Sequence, residues 1–311
     1  MIQNSSAGAG RRLEGRVAIV TGSGRGLGRA HALFLASQGA RIVVNDLGSS
    51  IHGEGAASSP AEQVINEITA QGGRAIPSTH DVSNWEEAAQ LVDLAIRTFG
   101  DLHVLVNNAG ILRDRTLANM SEQEWDSVIR VHLKGHAATS RHALSYWRDR
   151  AKSGQKVKAS VVNTTSISGV AANFGQANYG AAKLGIVALS NVIALEGAKY
   201  GVRSNAVAPS ARTRLAMAGT PDAGTFFQPP MEVDTFDRWD PANVSPLVAW
   251  LAEADCPATS QVFHLIGNRI RSFSFASVVH DLESEGRWTL EDLDRELQGR
   301  LVVPKRIEEF L

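Results

Sequence analysis

The stretch from Arg16 to Asp46 restricts the fold more than any other part of this 311-residue chain. Arg16 to Thr21 is a short run of β-branched and small residues that breaks into Gly22-Ser23-Gly24-Arg25-Gly26-Leu27-Gly28, after which Ala30, Leu33, Phe34 and Leu35 open a helix ending near Gly39. Strand, glycine turn and helix in that order leave backbone N–H groups and a helix N-terminus clear of side chains, a shape that accepts a pyrophosphate. The spacing is Gly-x-x-x-Gly-x-Gly rather than the commoner Gly-x-Gly-x-x-Gly, so the turn alone does not fix a ligand. The next strand sharpens it. Arg41 to Asn45 ends in Asp46, where a dinucleotide fold places the acid that accepts from the adenosine ribose hydroxyls. A carboxylate there repels a 2′-phosphate and argues for NAD, whereas Arg25 inside the turn argues for NADP; the position of Asp46 decides for NAD. Gly22, Arg25, Gly26, Leu27, Gly28 and Asp46 are therefore candidate cofactor contacts.

The alternation continues along the chain. Leu47 to Pro60 is a glycine- and serine-rich insertion, expected to be mobile or to cover the adenine end, and it precedes an amphipathic helix over Ala61 to Ala70. A strand over Arg74 to Thr79 delivers Asp81 and Val82 as adenine contacts, and Ser83 with Glu86 reads as the capping box of a helix running to Phe99. The apolar strand His103 to Val106 breaks into Asn107-Asn108-Ala109-Gly110; amides and a glycine at a parallel strand's C-terminal end sit where open sheets bind ligands, which adds Asn108, Ala109 and Gly110. Ser121 and Glu124 form a second capping box, opening a long helix through Trp125, Val128, His132 and Leu133. His132 and His136 are four apart but lack a third ligand, so packing or a hydrogen bond is expected of them and no metal site is assigned. Val202 to Ala208 is a strand ending at Pro209, and residues 210–241 carry no periodicity, as a substrate lid would. Pro246 to Glu253 reads as a helix, Gln261 to Ile266 as the final strand, and Leu290 to Leu297 as a helix in a polar extension.

These patterns predict an α/β protein with one Rossmann-type, doubly wound parallel sheet and helices on both faces. Residues 13–266 form its single domain, residues 1–12 a disordered leader, and residues 267–311 an extension packed on the same domain or on a partner subunit.

Within the domain, Ser166 to Lys183 carries the chemistry. Tyr179 and Lys183 are four apart and share a helix face, while Ser166 follows the β run Val161-Val162-Asn163-Thr164. A phenol near an ammonium is expected to have its pKa pulled from roughly 10 toward the working pH, as acid/base catalysis requires. Ser166, Tyr179 and Lys183 are the candidate catalytic residues, with Ser166 holding the reacting oxygen.

Taken together, Thr21-Gly22-x-x-x-Gly26-x-Gly28, Asn107-Asn108-Ala109-Gly110, and Ser166 thirteen residues before Tyr179 with Lys183 four beyond resemble the short-chain dehydrogenase/reductase family over about residues 13–266. A narrower likeness lies in Val44-Asn45-Asp46-Leu47-Gly48, Ile111-Leu112-Arg113-Asp114-Arg115, Arg130 to Gly135 and Asn173 to Tyr179. These segments, with the insertion after Asp46 and the tail, resemble the (3R)-hydroxyacyl-CoA dehydrogenase domains of peroxisomal multifunctional enzymes type 2 and their stand-alone bacterial relatives. The resemblance implies NAD-dependent oxidation of a fatty acyl or steroid side-chain 3-hydroxyacyl-CoA. It also implies binding of the nicotinamide ribose by Tyr179 and Lys183, contacts from Pro209 and Thr213, and a homo-oligomer. Alternatives are a steroid or other secondary-alcohol dehydrogenase, a 3-oxoacyl thioester reductase, and a non-catalytic NAD-binding protein. Thioester chemistry calls for phosphate anchors, for which Arg113, Arg115, Arg212 and Arg214 are candidates. Two departures stand out: His132 replaces the usual Asn, and Pro209-Ser210 replaces the usual Pro-Gly.

The expected partners are a small-molecule substrate and further copies of the chain, and composition points to neither nucleic acid nor membrane. A net charge of −1 and a pI near 6.8 give no electrostatic reason to expect nucleic acid or an anionic membrane surface. The lone Cys256 rules out an internal disulfide and suits a reducing compartment. No stretch reads as a membrane-spanning run, Met1 to Arg12 lacks the apolar core of a secretion signal, and Glu308-Glu309-Phe310-Leu311 is not a peroxisomal tripeptide, so a cytoplasmic protein is expected.

Overall fold

The computed structural model describes residues 10–55, 59–219, 227–230, 232, 235–275, 277–283, 286–300 and 307–311. Strands and helices alternate as β1 (Val17–Thr21), α1 (Gly26–Ser37), β2 (Arg41–Asn45), α2 (Ser59–Ala70), β3 (Arg74–Ser78), α3 (Trp85–Phe99) and β4 (Val104–Asn107). There follow α4 (Glu122–Ile129), α5 (Gly135–Lys152), β5 (Ala159–Thr164), α6 (Ala177–Gly197), β6 (Val202–Ser210) and α7 (Arg214–Gly219). The chain closes with α8 (Ser245–Ala252), β7 (Val262–Ile266), β8 (Arg269–Phe273) and α9 (Leu290–Leu297).

The sheet order is β3-β2-β1-β4-β5-β6-β7-β8. β1 to β7 are parallel, and β8 turns back antiparallel on β7. Because successive side chains of a strand point to opposite faces, β1 feeds two cores. Ala18 and Val20 join Leu35 of α1, Ile68 of α2 and Leu251 of α8, whereas Val17 and Ile19 join Leu91 of α3, Trp147 of α5 and Ile193 of α6. Strand order reverses between β1 and β4, which opens a crevice above their C-terminal ends.

Several expectations need correction. β8 follows the strand expected to be last; its Arg-Ile-Arg-Ser-Phe sequence is half exposed at the sheet edge and lacks a buried strand's continuous apolar run. Ser83 and Glu86 do not box α3. Ser83 turns back to Asp81, whose Oδ1 accepts from both its N–H (2.8 Å) and its hydroxyl (2.7 Å), so Asn84 caps the helix by accepting from Glu86 and Glu87 N–H. The box at Ser121 and Glu124 forms as read. The helix it opens is interrupted by a π-turn over Arg130–Lys134, and a short α7 lies within the segment read as aperiodic. Finally, an 18-residue window within residues 177–200 reaches a mean hydropathy of 1.4, long and apolar enough to cross a membrane; in the fold residues 177–200 form α6 and its terminal turn, packed against β5 and β6.

Of the expected leader, residues 1–9 lie outside the described residues, while Arg12 pairs with Glu253 at 2.8 Å. Residues 56–58 of the insertion and 220–226, 231, 233 and 234 of the expected lid also lie outside them.

Candidate active site

The glycine turn and the end of β4 interlock over the crevice. Gly22 takes a left-handed φ of 62°, and a Cβ on it would lie 2.8 Å from the Ala109 Cα. Thr21 Oγ1 accepts from the Asn108 and Ala109 N–H groups at 2.9 and 3.1 Å, and Asn108 Nδ2 donates to the Thr21 and Gly22 carbonyls at 3.0 and 3.1 Å. Asp46 closes the other side of the turn. Its Oδ2 accepts from Gly24 N–H at 2.7 Å and its Oδ1 from Gly48 N–H at 2.6 Å.

A cavity of about 320 Å³ runs from this turn to Tyr179. Gly22, Arg25, Gly26, Leu27, Asp46, Asp81, Val82, Asn108, Ala109, Gly110, Ser166, Tyr179, Lys183, Pro209 and Thr213 all line it. Gly28, also expected as a contact, does not line it: a Cβ there would sit 2.2 Å from the Gly22 carbonyl oxygen, so the residue packs beneath the turn. The insertion after Asp46 contributes Leu47, Ser49, Ser50, Ile51 and Gly53 to the wall, and is tied down where Leu112 N–H donates to the Ile51 carbonyl at 3.0 Å.

Ser166 begins a 3-10 turn at the end of β5, its Oγ accepting from Ser168 N–H at 3.1 Å, and it lines the cavity beside Tyr179, close enough to favour the charged phenol. Asn178 fixes the start of α6. Its Oδ1 accepts from Tyr179 N–H at 2.7 Å, and its Nδ2 donates to the Arg113 and Glu124 carbonyls, each at 3.1 Å. Lys183, fully enclosed, donates from Nζ to the Thr164 carbonyl at 2.7 Å and stands 5.4 Å from the centre of the Tyr179 ring.

The electrostatics depart from expectation. Burial pushes the Tyr179 phenol up to about 12, opposed by the Ser166 hydrogen bond and reinforced by Asp114, while burial pushes Lys183 down to about 7. The ammonium was expected to lower the phenol. It sits over the ring and donates to the Thr164 carbonyl, and burial dominates the shift of the phenol. Lys183, not Tyr179, is the group whose charge changes near neutral pH.

His132 meets the packing and hydrogen-bond expectation. Its Nε2 lies 2.8 Å from the Ile111 carbonyl and 3.1 Å from Ile111 N–H. Of the four arginines read as phosphate anchors, three are engaged otherwise: Arg113 pairs with Glu54 at 2.9 Å, Arg115 with Glu124 at 3.3 Å, and Arg212 with Asp237. Only Arg214 of the four lines the cavity, close enough to Arg25 and Asp46 to feel both charges. Sequence reasoning missed Thr21, Thr164 and Asn178, which position the site through backbone groups. It also missed Gln176, which lines the cavity and donates to Asp114 at 2.8 Å. Thr21 opens the glycine motif, and Gln176 and Asn178 lie in the stretch Asn173 to Tyr179, but neither pattern assigned them a role.

Comparison with known proteins agrees with this geometry. A family model described as short chain dehydrogenase matches residues 16–222. A hydroxyacyl-CoA dehydrogenase of Mycobacterium tuberculosis is 42% identical over 266 residues, covering 83% of this chain and 79% of the relative. Peroxisomal multifunctional enzyme type 2 of Mus musculus is 41% identical over 254 residues, 82% of this chain but only 32% of that longer protein. The crystal structure of a short chain dehydrogenase from Mycobacterium avium superposes with a TM-score of 0.83 at 44% identity, covering 95% of this chain and 99% of that one.

Proposed function

The chain belongs to the short-chain dehydrogenase family and is an oxidoreductase of CH–OH groups that uses a nicotinamide nucleotide and a small-molecule substrate, and from that premise we propose that it is an NAD-dependent (3R)-3-hydroxyacyl-CoA dehydrogenase. The observation that carries the reading is that one cavity has Asp46 and the glycine turn in one wall and Ser166, Tyr179 and Lys183 in another. Resemblance to hydroxyacyl-CoA dehydrogenases supplies the acyl thioester, fatty or steroid side-chain.

The residues present fit the cofactor. A turn in which Cβ atoms at Gly22 and Gly28 would strike backbone keeps side chains away, and with Ser23 and Gly24 N–H taken by Asn45 and Asp46, the N–H groups opening α1 are the ones that would meet a pyrophosphate. A carboxylate has about four acceptor positions, so Asp46 keeps two for ribose hydroxyls after serving Gly24 and Gly48. Asp81 and Val82 would flank the adenine, and Asn108 to Gly110, Pro209, Thr213 and Lys183 the nicotinamide half. Held by these residues, a nicotinamide would supply the acceptor or donor for the hydride of the carbinol carbon.

The chain's own contribution is the proton. Tyr179 Oη takes it from the substrate hydroxyl as its own proton moves on toward neutral Lys183, while Ser166 Oγ hydrogen-bonds the same oxygen. Lys183 takes up or releases a proton near neutral pH beside the phenol, and when charged it favours the phenolate. Reduction of NAD and NADP by (3R)-hydroxyacyl-CoAs of graded length, measured beside free steroid alcohols, tests the proposal. Turnover confined to free alcohols would replace the thioester reading with the steroid or secondary-alcohol one. Exposed Leu184, Val192 and Leu195 on α6 favour a homo-oligomer, which sedimentation measures directly.

A further inference from the structure

Ile307 and Leu311 line the same cavity as Ser166 and Tyr179, although they lie more than a hundred residues further along the chain. Contacts with β8 and with Arg238 hold that segment in place. Arg238 Nη2 donates to the Leu311 carbonyl at 2.6 Å, Arg271 of β8 donates to the Phe310 carbonyl, and the Phe310 ring lies 5.7 Å from that of Phe273.

Arg271 does more than hold the tail. Its Nη1 also lies 3.1 Å from His264 Nδ1, and His264 Nε2 lies 3.0 Å from Ser210 Oγ in the cavity wall. A guanidinium only donates, so Nδ1 must accept, and the single proton of the neutral imidazole lies on Nε2 and is given to Ser210. Burial lowers His264 to about 4, consistent with that neutral form. A directional hydrogen-bond chain thus runs from the tail's backbone through Arg271 and His264 to the wall. Ser210 belongs to it through its hydroxyl, which a glycine at this position would not offer.

We propose that Ile307–Leu311 forms the outer wall of the substrate cavity, held there by Arg271 and His264 as positioning residues, and that it limits the size of the apolar group attached to the carbinol carbon. The chemistry of the neighbouring wall agrees, since Leu215, Ala216 and Phe227 line the cavity with Ile307 and Leu311 and suit an aliphatic or alicyclic group rather than a charged one. The kinetic arm rests on the dehydrogenase reading above; the structural arm does not.

Two opposed substitutions and one at a distance test it. Leu311→Ala removes three side-chain carbons and should move the optimum of a graded secondary-alcohol or hydroxyacyl-thioester series toward larger groups, changing the long-to-short ratio of kcat/KM by about tenfold, a typical effect of about one methylene of fit. Leu311→Trp should move it toward smaller groups. Arg271→Gln should broaden the size profile mainly through KM, leave kcat for the smallest substrate within about twofold, and raise amide hydrogen exchange at residues 307–311 and 210–213. An unchanged size optimum in both Leu311 variants overturns the proposal, as does loss of turnover uniform across the series. Unchanged exchange in Arg271→Gln overturns it whatever the substrate proves to be. A wild-type enzyme that oxidises free alcohols but no thioester would sink the thioester reading and leave the size test intact.

Discussion

His132 stands edge-on to Tyr179, ring centroids 5.2 Å apart and planes at 89°, and its far edge meets Gly110 so closely that a Cβ there would lie 2.3 Å from His132 Cε1. Gly110→Ala must therefore displace the imidazole and, through it, the phenol. Overpacking of this kind costs about 1–3 kcal/mol, and misplacement of the acid/base group should lower kcat as well. Adding His132→Asn shortens the obstructing side chain and should restore part of both losses. Urea unfolding and kcat for the single and double variants check the pair, and simple additivity would show that the two positions do not communicate.

Tyr179→Phe deletes the proton acceptor and little else, because the ring still packs against His132. Turnover should fall by about 10²–10⁴-fold, the usual contribution of a positioned acid or base, with NAD affinity nearly intact. Steady-state kinetics beside NADH fluorescence titration separates the two quantities. Near-normal turnover would remove Tyr179 from its role.

The pH profile should be governed by Lys183. Its pKa is lowered to about 7 by burial, so in the free protein its neutral, proton-accepting form grows as pH rises through about 7, whereas Tyr179 at about 12 stays protonated throughout. For the oxidation direction kcat/KM should rise across that window, since this parameter reports the free enzyme. Lys183→Met should abolish the inflection. A profile unchanged in that variant assigns the titration to another group.

Much of this was legible in the sequence because it depends on short-range pattern. The alternating strands and helices, the left-handed glycine turn and the Ser166, Tyr179 and Lys183 spacing are each set by residues within a few positions of one another. What escaped was set by contacts between distant segments. Whether Asn84 or Ser83 caps α3 depends on which donors Asp81 takes first, and the direction of the Tyr179 and Lys183 shifts depends on how completely several strands and helices exclude water. Residues 307–311 reach the cavity by lying beside β8, an edge strand with no signature of its own, and no local signal could have placed Leu311 in the wall of the cavity that Tyr179 also lines.

Asp46 should govern cofactor choice in two ways. Its carboxylate repels a 2′-phosphate, and it accepts from Gly24 and Gly48 N–H, which shapes the phosphate turn. Asp46→Ser removes the charge while keeping an oxygen acceptor, and with Arg25 and Arg214 nearby it should raise the NADP-to-NAD ratio of kcat/KM by at least about tenfold, equivalent to about 1.4 kcal/mol. Assays with both cofactors decide. A ratio that does not move means that Asp46 acts on the turn alone.

Buried histidines should make the fold acid-sensitive well above the carboxylate range. His31, 2% exposed, bridges α1 to α8 through Ser245 Oγ at 2.9 Å from Nδ1, and burial lowers its pKa to about 4. Between pH 6.5 and about 4 the unfolded chain binds a proton there that the folded chain does not, so stability falls as pH drops through this window. At pH 5 that single group removes about 2 kcal/mol relative to neutral pH. His264, at about 4, and His136, at about 3, act in the same direction and steepen the total. His31→Leu gives up the Ser245 hydrogen bond, worth about 1 kcal/mol, at every pH. It should nevertheless narrow the gap between urea midpoints measured at pH 7 and pH 5, because it no longer has a proton to gain. A gap as wide as in the unsubstituted protein would mean that His31 titrates in the fold much as it does in the open chain.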